Sequence, residues 1–126
     1  MKIAVVCANG KEGQLITKEA VKRGFDVTAV VRGENKSEAT KAIVKDLFDL
    51  TKEDLSGFDA VVDACGAWTP ETLDAIPNAV KKLCELLKGT DTRLLIVGGA
   101  GSLYVNKEHT LTVADGKDFP DAFKPL

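Results

Sequence analysis

Short apolar runs alternate with longer stretches of mixed polarity along most of this chain. Each run is four to six residues long and rich in β-branched side chains; the runs fall at residues 2–6, 26–31, 42–45, 58–63 and 93–97. Runs of this length with few polar interruptions are typical of strands that are buried on both faces of a parallel sheet. The pattern therefore predicts five strands.

Helical patterns separate several of these runs. Over residues 12–23, Leu15, Ile16, Ala20 and Val21 recur at helical spacing, and Gly24 follows as a left-handed cap. A second helix is predicted from Thr69 and Pro70 to Leu87, kinked or split at Pro77. Shorter helical turns are predicted over residues 33–39 and over residues 51–55, where Thr51 is the N-cap and Asp54 lies three residues on.

Strands that alternate with helices predict an α/β protein with a parallel sheet covered on both faces. The expected architecture is a three-layer, Rossmann-like, doubly wound sheet of strand order 3-2-1-4-5, formed by residues 1–126 as one domain. Residues 103–106 and 109–113 read as extended, and residues 118–126 are broken by two prolines. The edge beside the fifth strand needs cover, for which residues 103–126 or a second subunit, as in a homodimer, are the candidates.

Composition narrows the functional classes. The 126 residues carry a formal net charge of −2 with both signs mixed, which gives no electrostatic footprint for nucleic acid. The apolar runs are too short to span a bilayer, and the N-terminus does not read as a signal peptide, so a cytoplasmic location is expected. Cys7, Cys65 and Cys84 form no metal-binding or disulfide pattern and are expected to be buried, reduced thiols. His109 is expected to be a solvated loop residue, and no metal site is indicated.

Three glycine-bearing turns follow the first, fourth and fifth strands, at residues 7–13, 64–67 and 98–102. Ligands of open α/β sheets lie beyond the carboxyl ends of the strands, where the strand order reverses. In the first turn, Gly10 would let the backbone approach a pyrophosphate, Gly13 would let the helix pack closely, and the helix amides would face the anion. The predicted contacts in this turn are Ala8, Asn9, Gly10, Lys11, Glu12 and Gly13. Cys7 stands where such turns favour glycine.

Two further positions bear on which dinucleotide would bind. Arg32 ends the second strand, where an arginine pairs with the 2′-phosphate of NADP and an acidic residue would bind the ribose of NAD. Glu34 is nearby, and a solvated surface arginine is the alternative interpretation. Asp46 and Leu47 follow the third strand, where an adenine would rest; a turn-capping role is the alternative for Asp46.

These motifs together resemble the atypical short-chain dehydrogenase/reductase group. The resemblance is carried by Ala8, Gly10 and Gly13, by Arg32, by residues 59–66 and by the stretch 98–103, Gly-Gly-Ala-Gly-Ser-Leu. The chain is most similar to NmrA-like proteins and NADH-flavin reductases, which are usually longer. The resemblance implies an NAD(P)H-binding oxidoreductase that prefers NADP(H) to NAD(H) and takes a flavin or similar flat acceptor as substrate. It also implies nicotinamide contacts from Ala64, Cys65, Gly66, Gly98, Gly99 and Ser102.

The residues for catalysis depart from that family. Its catalytic tyrosine is followed four residues later by a lysine, whereas Tyr104 here is followed at that spacing by Glu108. Ser102 and Tyr104 are therefore weak candidates, and flavin reductases need the protein mainly to position two rings. The alternatives are a regulatory module that senses NADP(H) without turnover, and a shortened relative that has lost activity.

Overall fold

The computed structural model describes residues 1–67, 70–99 and 101–118. Its five strands form one parallel sheet of order β3-β2-β1-β4-β5, which confirms the predicted α/β architecture and strand order. The strands are β1 (Lys2–Val6), β2 (Asp26–Val31), β3 (Lys41–Val44), β4 (Ala60–Asp63) and β5 (Arg93–Ile96). The helices are α1 (Lys11–Lys22) and α2 (Ala75–Leu87), with 3₁₀ turns at Leu47–Asp49, Pro70–Thr72 and Val113–Asp115.

The core lies in two layers, one on each face of the sheet. On one face, Ala20 of α1 packs with alternate residues of β1 and β2, such as Val5 and Ala29. On the other face, Leu83 of α2 packs with the residues of opposite parity, such as Val6. Because a strand presents successive side chains to opposite faces, the same apolar runs pack against α1 on one face and against α2 on the other.

Helix α1 faces the sheet only partly as predicted: Ala20 is buried and Ile16 packs against the core, but two of the predicted core residues are exposed. Leu15 is 58% exposed and Val21 is 39% exposed, whereas Gly13, Thr17 and Ala20 are buried. At Gly13 the cause is the close approach of α1 to the turn before it, which leaves no room for a side chain. Gly24 has a φ of 81° and follows the last helical turn, as the left-handed cap predicted.

Both predicted short helices are wrong. Residues 33–39 form bends without a helix, and residues 51–55 form turns rather than a helix. The predicted cap pair of Thr51 and Asp54 is nevertheless present: the Thr51 N–H donates to Asp54 Oδ2 at 2.9 Å, and the Asp54 N–H donates to Thr51 Oγ1 at 3.3 Å. Gly57, with a φ of 84°, turns the chain before a helix can extend.

The second long helix begins later than predicted. A 3₁₀ turn at Pro70–Thr72 precedes α2, which starts at Ala75, and Thr69 lies outside the described residues. Pro77 is the third residue of α2 and does not kink it, because N–H groups of the first helical turn have no acceptor within the helix.

After β5 the described chain has little regular structure. The extended stretches predicted at residues 103–106 and 109–113 form no regular strand; they are joined by an antiparallel bridge between Tyr104 and Thr112 and by hydrogen bonds of the Asn106 side chain. Residues 119–126 lie outside the description. Within the described ranges, no helix combines the length and apolar character needed to cross a membrane. The cytoplasmic location and the homodimer stay predictions.

Candidate functional site

The turn after β1 is folded tightly against the neighbouring strand. The N–H groups of Cys7 and Ala8 both donate to the carbonyl oxygen of Val30, at 3.1 and 3.4 Å, and the Gly10 N–H donates to the Cys7 carbonyl at 3.1 Å. Cys7 has a φ of 62°, in the left-handed region that favours glycine. The turn therefore accepts a side chain at the position where the sequence indicated that glycine is preferred.

Gly13 lets α1 approach this turn. A Cβ atom at Gly13 would lie 2.4 Å from the Cys7 carbonyl oxygen and 2.8 Å from the Ala8 Cα. Both neighbours are backbone atoms, so neither can move aside without changing the turn. The close packing predicted for Gly13 is thus a direct backbone contact, and the buried Gly13 and Ala8 support the turn from below rather than lining its open side.

The N-terminus of α1 carries unused donors. Gly10 is the N-cap and supplies no side chain, and the first helical hydrogen bond runs from the Gln14 N–H to the Gly10 carbonyl at 2.9 Å. Among the described residues, no acceptor takes the N–H groups of Lys11, Glu12 or Gly13. Together with the partial positive charge of a helix N-terminus, these amides form a site suited to an anion.

Asn9 has a role that sequence reasoning missed. Its Nδ2 donates to the Glu34 carbonyl at 2.7 Å, and its Oδ1 accepts from the Lys36 N–H at 2.7 Å. The Gln14 side chain in turn donates to the Asn9 carbonyl at 2.7 Å. Asn9, which was predicted as a dinucleotide contact, lines the cleft, and its side chain also ties the glycine turn to the loop after β2. That loop carries Arg32, so Asn9 sets where the arginine lies.

Arg32 lies exposed on the wall of the cleft beyond the glycine turn. Within the described ranges, no carboxylate comes within ion-pairing distance of its guanidinium. Glu34, the nearby acidic residue, contributes its backbone carbonyl to Asn9. The structure therefore leaves the arginine available for a ligand.

The cleft has a volume of about 610 Å³ and runs along the carboxyl ends of β1, β2, β3 and β4. Most of the predicted dinucleotide contacts line it, namely Asn9, Gly10, Lys11, Glu12, Arg32, Asp46, Leu47, Ala64, Cys65 and Gly66. Side chains of α2 and of the 3₁₀ turn that follows β3 also line it. The volume is within the range of ligand pockets.

The 3₁₀ turn that follows β3 forms one side of the cleft. Asp46 caps this turn by accepting the Phe48 N–H at 2.9 Å, as its alternative interpretation predicted. Leu47 is buried beneath the turn, whereas the Phe48 ring is 49% exposed and lines the cleft. Sequence reasoning did not select Phe48; an aromatic residue one position past two selected ones was the available signal.

The cysteine prediction is wrong. Cys7 and Cys65 form a disulfide, with their Cα atoms 5.1 Å apart, and Cys84 is exposed rather than buried. The cause is the register of the sheet: Val6 pairs with Asp63, so the turns that leave β1 and β4 lie side by side. The two cysteines are 58 residues apart in sequence, and only the folded register brings them together.

Asp63 is a buried carboxyl at the end of β4, with 3% of its surface exposed. It accepts the Cys65 N–H at 3.0 Å and thereby shapes the turn that carries Cys65. Burial raises the pKa of the Asp63 carboxyl, and the hydrogen bond from Cys65 opposes this rise to a smaller extent.

The residues after β5 lie apart from the cleft. Gly98, Gly99, Ser102 and Tyr104 are exposed and are not among its lining residues, and Ala100 is outside the described residues. Tyr104 stacks on His109 with their ring centroids 4.7 Å apart. The weak catalytic candidates Ser102 and Tyr104 are therefore not brought to the site. Within the described ranges, no group of three metal-ligating side chains occurs.

Comparison with known proteins agrees with this geometry. A family model described as NAD(P)H-binding matches residues 7–123. The protein YwnB of Bacillus subtilis (strain 168) is 47% identical over 128 residues, which cover 99% of this chain and 60% of YwnB.

Solved structures give the same result. SP1627 of Streptococcus pneumoniae TIGR4, named a "putative NADH-flavin reductase", is 56% identical with a TM-score of 0.94, over 100% of this chain and 60% of that one. A short-chain dehydrogenase/reductase superfamily protein of Agrobacterium tumefaciens, with bound NAD, has a TM-score of 0.65 over 80% of this chain and 33% of its own; at 16% identity this likeness concerns the fold alone. This chain thus spans about 60% of the length of both YwnB and SP1627.

Proposed function

We propose, because this chain belongs to the NAD(P)H-binding family, that its cleft binds NADP(H) and that its activity is reduction of a flavin or a similar flat acceptor. The observation that carries this proposal is the N-terminus of α1, where Lys11 and Glu12 line the cleft and their amides have no acceptor among the described residues. Bound reduced dinucleotide would supply a hydride; the protein residues supply binding and orientation.

The pyrophosphate is assigned to the amides of Lys11 and Glu12, which line the cleft. A dianionic group satisfies donors that otherwise have only water, and it gains from the helix dipole. Gly10, the N-cap, places no side chain of its own between the amides and the cleft. The chain's own donors therefore fit the phosphate chemistry of a dinucleotide.

The adenosine half of the dinucleotide is assigned to the part of the cleft that is lined by Arg32 and Phe48. Arg32 is unpaired among the described residues and extends from the end of β2, where its guanidinium would form a two-pronged contact with a 2′-phosphate. The exposed Phe48 ring offers a flat apolar surface for an adenine. This placement supports a preference for NADP(H) over NAD(H).

Flavin as the acceptor is supported by the name of the similar protein SP1627. The position of Tyr104 outside the cleft is consistent with a reaction that needs no protein acid, because two stacked rings exchange a hydride directly. The nicotinamide contacts expected from Gly98, Gly99 and Ser102 stay predictions.

Calorimetric titration tests the cofactor assignment. NADPH is expected to bind more tightly than NADH, and Arg32→Ala is expected to weaken NADPH binding about tenfold, or about 1.4 kcal/mol, with little effect on NADH. Arg23→Ala is the matched control, since Arg23 pairs with Glu19 on α1 outside the cleft. An equal loss for both dinucleotides would contradict the 2′-phosphate contact.

A sensing module is the second candidate, because the predicted catalytic residues lie outside the cleft. Oxidation of NADPH in the presence of FMN or FAD separates the two functions. Turnover supports the reductase, and NADPH binding without turnover supports the sensor. Absence of binding to any dinucleotide would contradict both and favour a relative that has kept only the fold.

A further inference from the structure

We infer that Cys7 and Cys65 are a reversible thiol–disulfide pair, oxidised by a peroxide and reduced by a dithiol, and that the disulfide lowers the affinity of the cleft for its dinucleotide. The inference rests on the proposed function, since it concerns the same cleft. It assigns a modification site and a regulatory role to two residues that the reductase function does not require.

The first observation is where the bridge lies. Strands β1 and β4 are neighbours, and the chain leaves β1 for α1 on one face of the sheet and β4 for α2 on the other. The crevice between two such turns is where ligands of doubly wound sheets bind. The Cys7–Cys65 bridge spans this crevice and holds the two Cα atoms 5.1 Å apart.

The second observation is that both cysteines line the cleft. Each is partly exposed, so a small oxidant or reductant can reach the sulfur atoms through the same opening that admits the ligand. Cys84, in contrast, lies exposed on α2 and is not bonded. The chain thus offers a reactive pair at the site and a third cysteine as an internal reference.

The third observation is the backbone at Cys7. Its φ of 62° costs a residue with a side chain about 1–2 kcal/mol relative to glycine. The turn itself needs only backbone atoms from this position, because its hydrogen bonds come from the Cys7 N–H and carbonyl. A side chain retained at such a position is explained by its bond to Cys65.

The direction follows from the geometry. A dinucleotide whose pyrophosphate sits on the amides of Lys11 and Glu12 must pass between the turns after β1 and β4. The disulfide fixes the separation of these turns and places two sulfur atoms in the passage. Reduction frees the Cys65 turn to move aside, so the reduced form is expected to bind more tightly.

The chemistry balances with a peroxide as oxidant. One cysteine thiolate attacks a peroxide oxygen, the O–O bond breaks, and a sulfenic acid and one water form. The second thiol attacks that sulfur, the S–O bond breaks, and the disulfide and a second water form. Two thiols have then lost two electrons and two protons to hydrogen peroxide. A dithiol reverses the change by exchange and is itself oxidised to a disulfide.

The test compares reduced and oxidised protein. The chain is reduced with dithiothreitol, desalted without oxygen, and one half is treated with one equivalent of hydrogen peroxide. Maleimide labelling read by mass spectrometry is expected to count three thiols in the reduced form and one, Cys84, in the oxidised form. Calorimetry with NADPH is expected to give a Kd at least tenfold higher for the oxidised form.

Three variants make the result specific. Cys7→Gly restores the residue that a positive φ favours, so it keeps the turn while removing the pair, and its affinity should not respond to peroxide. Cys65→Ser should be equally unresponsive. Cys84→Ser, outside the cleft, should retain the tenfold difference.

Each alternative outcome has a definite meaning. Three labelled thiols after peroxide would overturn the inference, because the pair would not close. Equal NADPH affinity of the two forms, with the thiol count changed from three to one, would overturn it while leaving the proposed function standing. Absence of NADPH binding in both forms would overturn the proposed function and this inference together.

Discussion

Residues 1–67, which contain the central strand β1, and residues 93–118, which begin with the edge strand β5, bury their apolar side chains to different extents. Four of the five residues of β1 are buried, whereas every residue of β5 is at least partly exposed. Leu95 and Ile96 of β5 are 47% and 48% exposed. The apolar runs that predict β1 and β5 are similar, but β1 lies inside the sheet and is covered on both faces, whereas β5, like the other edge strand β3, has a single half-buried residue.

The two regions also differ in what holds them together. In the first, β1 pairs in register with a strand on each side, α1 packs on one face of the sheet, and α2, which follows this region in the chain, packs on the other. In the second, β5 pairs with β4 at the edge of the sheet, and beyond it the Val105 N–H donates to the Leu111 carbonyl and the Val113 N–H to the Leu103 carbonyl. Leu103 and Val105 are 60% and 62% exposed. Burial therefore stabilises the region that holds the cleft, and local hydrogen bonds shape the region after it.

The largest difference is expected from matched glycine substitutions. Gly13→Ala places a Cβ 2.4 Å from the Cys7 carbonyl and should lower the free energy of unfolding by about 2–3 kcal/mol. Gly98→Ala meets no atom within 4 Å and should change it by less than about 0.5 kcal/mol. Urea unfolding measures both. Equal losses would contradict the division between the two regions.

The next largest effect separates binding from folding within the first region. At Gly10 a Cβ would meet only the Cys7 carbonyl, at 3.4 Å, and the φ of −69° suits any residue. Gly10→Ala should therefore leave the unfolding free energy within about 0.5 kcal/mol of its original value. The methyl group should hinder a phosphate at the α1 amides and raise the NADPH Kd about tenfold.

Lys18→Ala, on the exposed face of the same helix, is the control for Gly10→Ala. It should change neither the Kd nor the unfolding free energy. If Gly10→Ala binds NADPH normally, the phosphate does not sit at this helix terminus and the proposed site is wrong.

The predictability of the molecule divides along similar lines. The strands follow from the apolar runs, because each residue of a strand that is buried on both faces must be apolar. Their order follows from the alternation of strands with helices and the right-handed crossover rule. The glycine turn follows too, since Gly10 and Gly13 act through local backbone geometry. Contacts between segments that are distant in the chain could not be predicted from the sequence. The Asn9 side chain, for example, forms hydrogen bonds with backbone groups 25 and 27 residues further along the chain, at Glu34 and Lys36.

The same reason explains the cysteines. Whether Cys7 meets Cys65 depends on which residues of β1 and β4 pair, and a shift of register would separate them. The buried face of α1 was misjudged because Leu15 and Val21 are more hydrophobic than Gly13 and Thr17. Close backbone packing at Gly13 decides the rotation of the helix, and hydrophobicity alone does not reveal it.

Replacing a threonine by valine is expected to change the free energy of unfolding in opposite directions in the two regions, by a smaller amount than the glycine substitutions. Its side chain is fully buried, and among the described residues its hydroxyl has no hydrogen-bond partner. Thr17→Val removes this uncompensated hydroxyl and should raise the unfolding free energy by about 1 kcal/mol. Thr110→Val, in the second region, removes an acceptor used by Asn106 at an exposed site and should be neutral or slightly destabilising. Urea unfolding of the two variants checks both signs.

The last prediction concerns pH and distinguishes two carboxyl groups of the first region. Burial raises the pKa of Asp63 above its ordinary value of 3.8, so the folded state binds this proton more tightly than the unfolded state. Its favourable contribution is full below pH 3.8 and is lost as pH rises through the folded-state pKa. Asp63→Asn keeps an acceptor for the Cys65 N–H without the charge, and should be more stable than the original chain at pH 7.

Asp54 supplies the opposite sign. The hydrogen bond from Lys45 lowers the pKa of Asp54 below 3.8, so its contribution is present above that pH and is lost as pH falls through the folded-state value. Asp54→Asn should therefore lose stability at pH 7 and resemble the original chain in strong acid. Unfolding followed from pH 3 to pH 7 measures both trends. If Asp63→Asn destabilises at pH 7, the buried carboxyl is stabilised in its charged form, and the turn that carries Cys65 is held by that charge.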